Sequence, residues 1–284
     1  MQKLPIGRQN FKKLRENNYL YVDKTKYIFE MINRGDINFL SRPRRFGKSL
    51  LISTLKELFK GNKNLFKGLY IYDKWKWEET NPVIVLAFGG GEYDSAISLN
   101  NYIKDMLNNK AREFQVELYI KTLGGKFTDL ITGVYTKTKK DVVILIDEYD
   151  KPIISNFKNT ELSSIEKKLG SFYENLKKND EFIKLIFITG ISKMDQSLVF
   201  SKFNSPKDLS LNTRFNNICG YTQEELEFYF SKHIESLALK FNCSYEECLN
   251  KIKVYYDGYS WNGIETVYTP FSNLLYINTL ITND

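Results

Sequence analysis

The chain has 284 residues, 42% hydrophobic and 15% aromatic, enough for one large α/β domain with its own core and a smaller appendage. Its 26% of charged residues, the absence of any apolar run near about 18 residues, and an N-terminus (M-Q-K-L-P-I-G-R-Q-N) without an apolar signal core exclude a disordered chain and a membrane-spanning helix, and point to the cytoplasm. His233 is the only histidine, which excludes His-based triads and multi-His metal sites; the cysteines Cys219, Cys243 and Cys248 are an odd set without paired metal spacing, which argues for reduced thiols over a disulfide frame or a zinc site.

The net charge of +7, with a pI near 9.0, would suit a nucleic-acid or nucleotide partner. Lysines are spread along the whole chain, so a biased composition explains the charge as well.

Positions 1–36 precede the first core strand. Phe11, Leu14 and the run 19–22 form an apolar patch, Asp23 has the character of a helix N-cap, and a helix is expected over 24–34 with Gly35 as its stop. Such an arm could flank a binding pocket or serve only to pack. Ile37, Phe39 and Leu40 then make a strand over 37–41, which runs into S-R-P-R-R-F-G-K-S-L-L. Strand, basic loop, Gly-Lys-Ser, helix is the order of a phosphate-binding loop of the Walker A type.

The physics asks for these residue types. Gly47 lets backbone approach phosphate oxygens, and a helix opening at Lys48 aims free N–H groups and its positive dipole end at the same place. Lys48 would bridge the β- and γ-phosphates, and the Ser49 hydroxyl would hold Mg²⁺. Arg44, Arg45, Phe46 and Leu50 complete the expected nucleotide-contacting set in and beside the loop. The full pattern G-x-x-x-x-G-K-[ST] has one mismatch, because its first glycine falls on Arg42.

A helix over 49–59 follows, with Leu51, Leu55, Leu58 and Phe59 at helical spacing and Lys60-Gly61-Asn62 ending it. The connector 62–81 contains Trp75 and Trp77, expected to pack. P-V-I-V-L-A-F over 82–88 reads as a strand buried on both faces, Gly89-Gly90-Gly91 as a flexible turn, and 99–118 and 127–135 as helices. The second strong motif is D-V-V-I-L-I-D-E-Y-D over 141–150, a buried strand ending in Asp147-Glu148. Acids at the carboxyl end of a core strand are costly unless paired or used. In a phosphate-loop fold that end faces the loop, which places Asp147 to hold Mg²⁺ and Glu148 to polarise an attacking water, as a Walker B strand does.

Lys151-Pro152 suggests a turn, 163–178 an amphipathic helix, and 182–190 a further buried strand ending in Thr189, Gly190 and Ser192. Thr189 could sense a γ-phosphate or orient water; a simple hydroxyl cap is the other reading. Positions 193–220 read as loop-rich and include Arg214. Thr222 with Glu225, then Ser244 with Glu247, make capping boxes that open helices to about Leu239 and Tyr255, a small unit placed like an ATPase lid. Asp257-Gly258 is a turn. The apolar tail 274–281 starts a further element, which packs back on the lid or leads into another domain.

The phrases P-I-G-R-Q-N-F-K-K-L…Y-V-D-K-T, S-R-P-R-R-F-G-K-S-L-L, V-I-L-I-D-E-Y-D-K-P-I, F-I-T-G-I-S-K and I-C-G-Y-T-x-x-E-L occur in that order. Together they resemble the bacterial AAA-ATPase-like family, divergent phosphate-loop ATPases, over about 4–272. The resemblance implies an α/β fold, a P-loop NTPase three-layer sandwich with a mostly parallel sheet, followed by a helical lid. It makes Arg42 a family trait. It implies Lys48 and Ser49 as ATP–Mg²⁺ ligands, Asp147 as the metal acid and Glu148 as the catalytic base, and it matches Arg214 to a family arginine before the lid, a candidate finger or sensor. Asp150 is expected to cap, to pair with loop arginines, or to lie in a surface turn. Family members often continue into a PD-(D/E)XK-type nuclease domain, and this chain is expected to stop before one.

The expected organisation is an arm (1–36), an ATPase core (37–220), and a lid with the start of a C-terminal element (221–284). Two functions remain open at this level. One is a Mg²⁺-dependent, ATP-hydrolysing switch, with a homo-oligomer able to supply an arginine in trans. The other is a nucleotide-gated module that binds DNA or protein through its basic surface with little turnover.

Overall fold

The structure, a computed structural model, describes residues 1–192 and 206–282; the first part (193–205) of the loop-rich stretch expected over 193–220 and the last two positions of the chain lie outside the described residues. Two short helices, α1 (Phe11–Glu16) and α2 (Thr25–Ile32), form the arm. Strand β1 (Ile37–Ser41) and helix α3 (Lys48–Phe59) bracket the basic loop. The chain continues through β2 (Val83–Ala87), α4 (Ala96–Phe114), α5 (Leu123–Thr138), β3 (Val142–Asp147), α6 (Lys151–Ser155), α7 (Leu162–Lys178) and β4 (Ile183–Gly190). A two-residue strand β5 (Lys207–Asp208) and a 3₁₀ turn (Thr213–Ile218) precede the lid helices α8 (Gln223–Lys240), α9 (Tyr245–Tyr256) and α10 (Pro270–Thr282).

The described strands form one all-parallel sheet in the order β2-β3-β4-β1-β5. Alternation along β3 builds the layers. Val142, Ile144 and Ile146 face a core with α4, α5 and α7, whereas Val143 and Leu145 face a second core with α1, α2 and α3. This is the three-layer α/β sandwich expected from the apolar strands. The register sets Leu40 beside Thr189, Ser41 beside Gly190 and Ala87 beside Asp147, so the polar strand ends lie in a row along the carboxyl edge.

Several local expectations shift. The strand expected to be buried on both faces, β2, is an edge strand with Val85 half-buried and Ala87 exposed. Its apolar run could not distinguish a central from an edge position. Pro152 opens a helix instead of a turn, because the first helical turn has no use for the missing N–H. Asp23 lies one position outside the cap of α2, yet its carboxylate still accepts from Thr25 N (2.8 Å) and Thr25 Oγ1 (2.7 Å). α4 starts earlier than expected, at the Ser95–Ser98 capping box, and stops at a left-handed Gln115. α5 extends beyond its expected bounds at both ends, opening on the Thr122 cap and stopping at a left-handed Lys139. Both tryptophans of the connector pack: Trp77 lies against Phe66 and Trp75 against Phe59.

The capping boxes at Thr222–Glu225 and Ser244–Glu247 form as read. The apolar tail is α10, and Leu274 and Ile277 pack into a third core with α8 and α9. Leu20 and Val22 of the arm enter that same core. A partly buried ion pair adds to the tie, with Lys24 Nζ 2.7 and 2.6 Å from the two Glu225 oxygens. Glu225 is thus both the cap of α8 and the anchor of the arm.

Candidate functional site

The loop after β1 is held in shape by its own side chains. Arg45 and Gly47 are left-handed, at φ +68° and +99°. A Cβ on Gly47 would meet nothing within 4 Å, so conformation and not space calls for glycine there. Lys48 is buried, and its ammonium donates to Arg42 O (2.8 Å) and Pro43 O (2.9 Å), closing the loop on itself. Burial pushes the Lys48 ammonium down, while Cys219, Asp147, Glu148 and Asp150 pull it up.

Arg42, the residue in place of the first glycine, is 1% exposed. Its guanidinium donates to Ser41 O (2.8 Å), Ser210 O (2.9 Å), Phe215 O (3.0 Å) and Asn216 O (3.4 Å), and stacks 4.5 Å from the Trp261 ring centroid. Burial pushes it down to about 10, which leaves it charged at neutral pH. Arg42 is therefore a keystone that joins the loop to the 3₁₀ turn and the lid junction. Phe46 is buried against Tyr259 and Trp261, and the exposed Arg45 lies 4.0 Å over the Phe271 ring. Three loop side chains thus end on the segment 259–271, a contact that sequence reading did not anticipate beyond the turn at Asp257-Gly258 just before it.

Two cavities meet at Ser49. One, about 540 Å³, is lined by Arg44, Arg45, Gly47, Lys48, Ser49, Leu50 and Glu148, with Arg8 and Gln9 of the arm and Phe271 of α10. The other, about 640 Å³, runs from Ser49 and Asp147 along the β2 edge to α4. A small apolar recess beside Gly47 is walled by Pro5, Leu20 and Val22 of the arm, Leu50 of α3, and Cys219 and Tyr221 before the lid.

Asp147 is 9% exposed, and Thr189 Oγ1 donates to its Oδ1 at 2.6 Å. No hydrogen bond to its other oxygen occurs among the described residues. Ser49 and Asp147 thus bring a hydroxyl and a carboxylate, both hard oxygen donors, to one cavity, which is the donor chemistry that suits Mg²⁺. Glu148 is left-handed at φ +54°, a conformation costly for a non-glycine residue and found at functional sites as well as at helix ends. Its carboxylate fits against Gly89: a Cβ there would lie 2.8 Å from Glu148 Oε2. The first glycine of the triplet makes room for that acid, a role invisible in the sequence.

Asp150 is neither a surface acid nor a partner of the loop arginines. It is 1% exposed, and one oxygen accepts from Ile191 N (2.8 Å), Ser192 N (2.7 Å) and Ser192 Oγ (2.6 Å), joining the ends of β3 and β4. Arg214 is exposed on the 3₁₀ turn and is not among the residues lining these cavities; its N–H donates to Asn212 Oδ1 at 3.1 Å.

Residues 5–200 match the sequence profile of a family described as "Predicted AAA-ATPase". The chain belongs to that family. It is also 37% identical over 276 residues to an "Uncharacterized protein in vnfD 5'region" of Azotobacter chroococcum mcd 1, an alignment covering 96% of this chain and 51% of that protein. The chain therefore spans about half the length of that relative. Membership of the predicted AAA-ATPase family supports nucleotide binding in general, and the matched span contains the loop, the Asp147-Glu148 strand end and Thr189. No described helix is long and apolar enough to cross a membrane.

Proposed function

We propose that this AAA-ATPase-family chain binds ATP with Mg²⁺ and hydrolyses it as a nucleotide-driven switch. The observation that carries the reading is the convergence of Lys48, Ser49, Asp147 and Glu148 on two cavities that share Ser49. Gly47 and the free N–H groups opening α3 receive phosphate oxygens, and Lys48 exchanges its loop carbonyls for them. Magnesium, held by Ser49 and Asp147, would neutralise charge on the phosphates. Thr189 fixes the Asp147 carboxylate, and Glu148 orients and deprotonates the attacking water. Arg44 and Arg45 add positive charge at the cavity mouth, and the apolar recess beside Gly47 takes the base. Arg214 has an exposed position suited to acting on a neighbouring copy.

Glu148→Gln keeps ATP binding by calorimetry and lowers turnover by about 10²-fold or more. Turnover at the wild-type rate in that variant would remove Glu148 as the base. Bound nucleotide with no turnover in the wild-type chain, alone or with DNA, would favour the gated binding module instead.

Gly89→Ala separates positioning from folding. The group it meets is the far end of a flexible side chain, so a melt should move by less than about 1 kcal/mol. The displaced Glu148 carboxylate should lower kcat by about tenfold or more with KM little changed. An unchanged kcat would show that the place of Glu148 against Gly89 does not matter to the reaction.

A further inference from the structure

Cys243 and Cys248 stand at the joint of α8 and α9, away from the cavities above, and the backbone holds them together from both sides. α8 closes with Cys243 N donating to Ala238 O (3.0 Å) and Asn242 N to Leu239 O (3.3 Å), Asn242 being left-handed at φ +48°. These are the two bonds of a Schellman closure. One residue on, Ser244 opens α9 in a reciprocal cap with Glu247 (2.8 and 3.1 Å). Cys243 thus immediately precedes the N-cap, and Cys248 is the fourth residue of the helix. Side chains at those two positions meet as a staple across a helix start.

Because both are cysteines, the staple is oxidisable. The sulfurs are 3.1 Å apart, about 1 Å more than a disulfide bond. Cys248 is buried and Cys243 half-buried, so solvent reaches one sulfur more readily than the other.

We propose that Cys243 and Cys248 are a reversible redox pair, in which a peroxide oxidises Cys243 and Cys248 resolves it to an intramolecular disulfide. The Cys243 thiolate attacks a peroxide oxygen; the O–O bond breaks, leaving Cys243 sulfenic acid and, after protonation, one water. The Cys248 sulfur then attacks the sulfenic sulfur. The S–S bond forms, the S–O bond breaks, and a second water leaves with the Cys248 proton. Two thiols lose two electrons and the peroxide gains them; a small dithiol reverses the change by exchange. Burial and the Cys243 sulfur push the Cys248 thiol up, consistent with its acting second. The inference does not depend on the nucleotide site.

The test is hydrogen peroxide on the whole chain, followed by thiol titration and non-reducing peptide mass mapping. The expected result is loss of two of the three thiols, a peptide linking Cys243 to Cys248, and full return with dithiothreitol. In Cys248→Ser, Cys243 should stop at the sulfenic acid and be captured by dimedone, while the wild type captures little. Three persisting thiols would leave a hydrophobic staple only and overturn the proposal. So would links between chains or to Cys219, or an equal dimedone adduct in the wild type.

Discussion

Arg42→Gly, which restores the first glycine of the phosphate-loop pattern, should lower stability by about 3 kcal/mol and the melting temperature by about 6–12 °C. Elsewhere a glycine at this position relieves crowding; here the position carries a buried cation. Its removal leaves the carbonyls of Ser210 and Phe215 without their donor and opens space under Trp261. Each buried carbonyl left unpaired costs about 1–3 kcal/mol, which far exceeds any gain from a less crowded loop. Arg42→Lys should fall between, since an ammonium keeps the charge but cannot span carbonyls on both sides as the planar fork does. Thermal or urea melts of the three proteins decide it. A glycine variant as stable as the wild type would mean that the carbonyls find other donors and that Arg42 is no keystone.

Lys48→Ala should weaken ATP binding by about 100-fold, measured by calorimetry at fixed Mg²⁺. The arithmetic is direct: a hydrogen bond to a charged group is worth about 1.5–3 kcal/mol, and tenfold in affinity is about 1.4 kcal/mol. The desolvated ammonium already donates to two loop carbonyls, so an arriving phosphate replaces partial charges with full ones. The same substitution leaves Arg42 O and Pro43 O without that donor, so the melt must accompany the titration. An affinity loss with a melting change smaller than that of Arg42→Gly assigns the effect to the ligand. Wild-type affinity would place the phosphates elsewhere.

Much of the scaffold was legible because its signals are local. Short β-branched runs such as V-V-I-L-I, bounded by polar residues, favour strands over helices, and a polar residue at the end of such a run marks where the sheet meets its loops. Capping boxes are written within four residues, so Thr222–Glu225 and Ser244–Glu247 announced α8 and α9, and the phosphate-loop phrase announced the start of α3. Where the signal was ambiguous the reading slipped: Pro152 serves a turn or a first helical turn equally well, and an apolar run does not reveal that β2 is an edge.

Residue types and their order were enough to nominate Lys48, Ser49, Asp147 and Glu148, since each belongs to a short pattern whose chemistry is explicit. Strand order alone placed Thr189 against Asp147 and laid both beside the loop. The roles of Arg42 and Asp150 rest on partners far along the chain, such as Asn216 O, 174 positions from Arg42, and Ile191 N, 41 positions from Asp150, and that of Gly89 rests on the packing of Glu148 against it. A hydrogen bond is selected by where packing brings a donor and an acceptor, and that depends on how whole layers close around the core, which no short window of residues can encode.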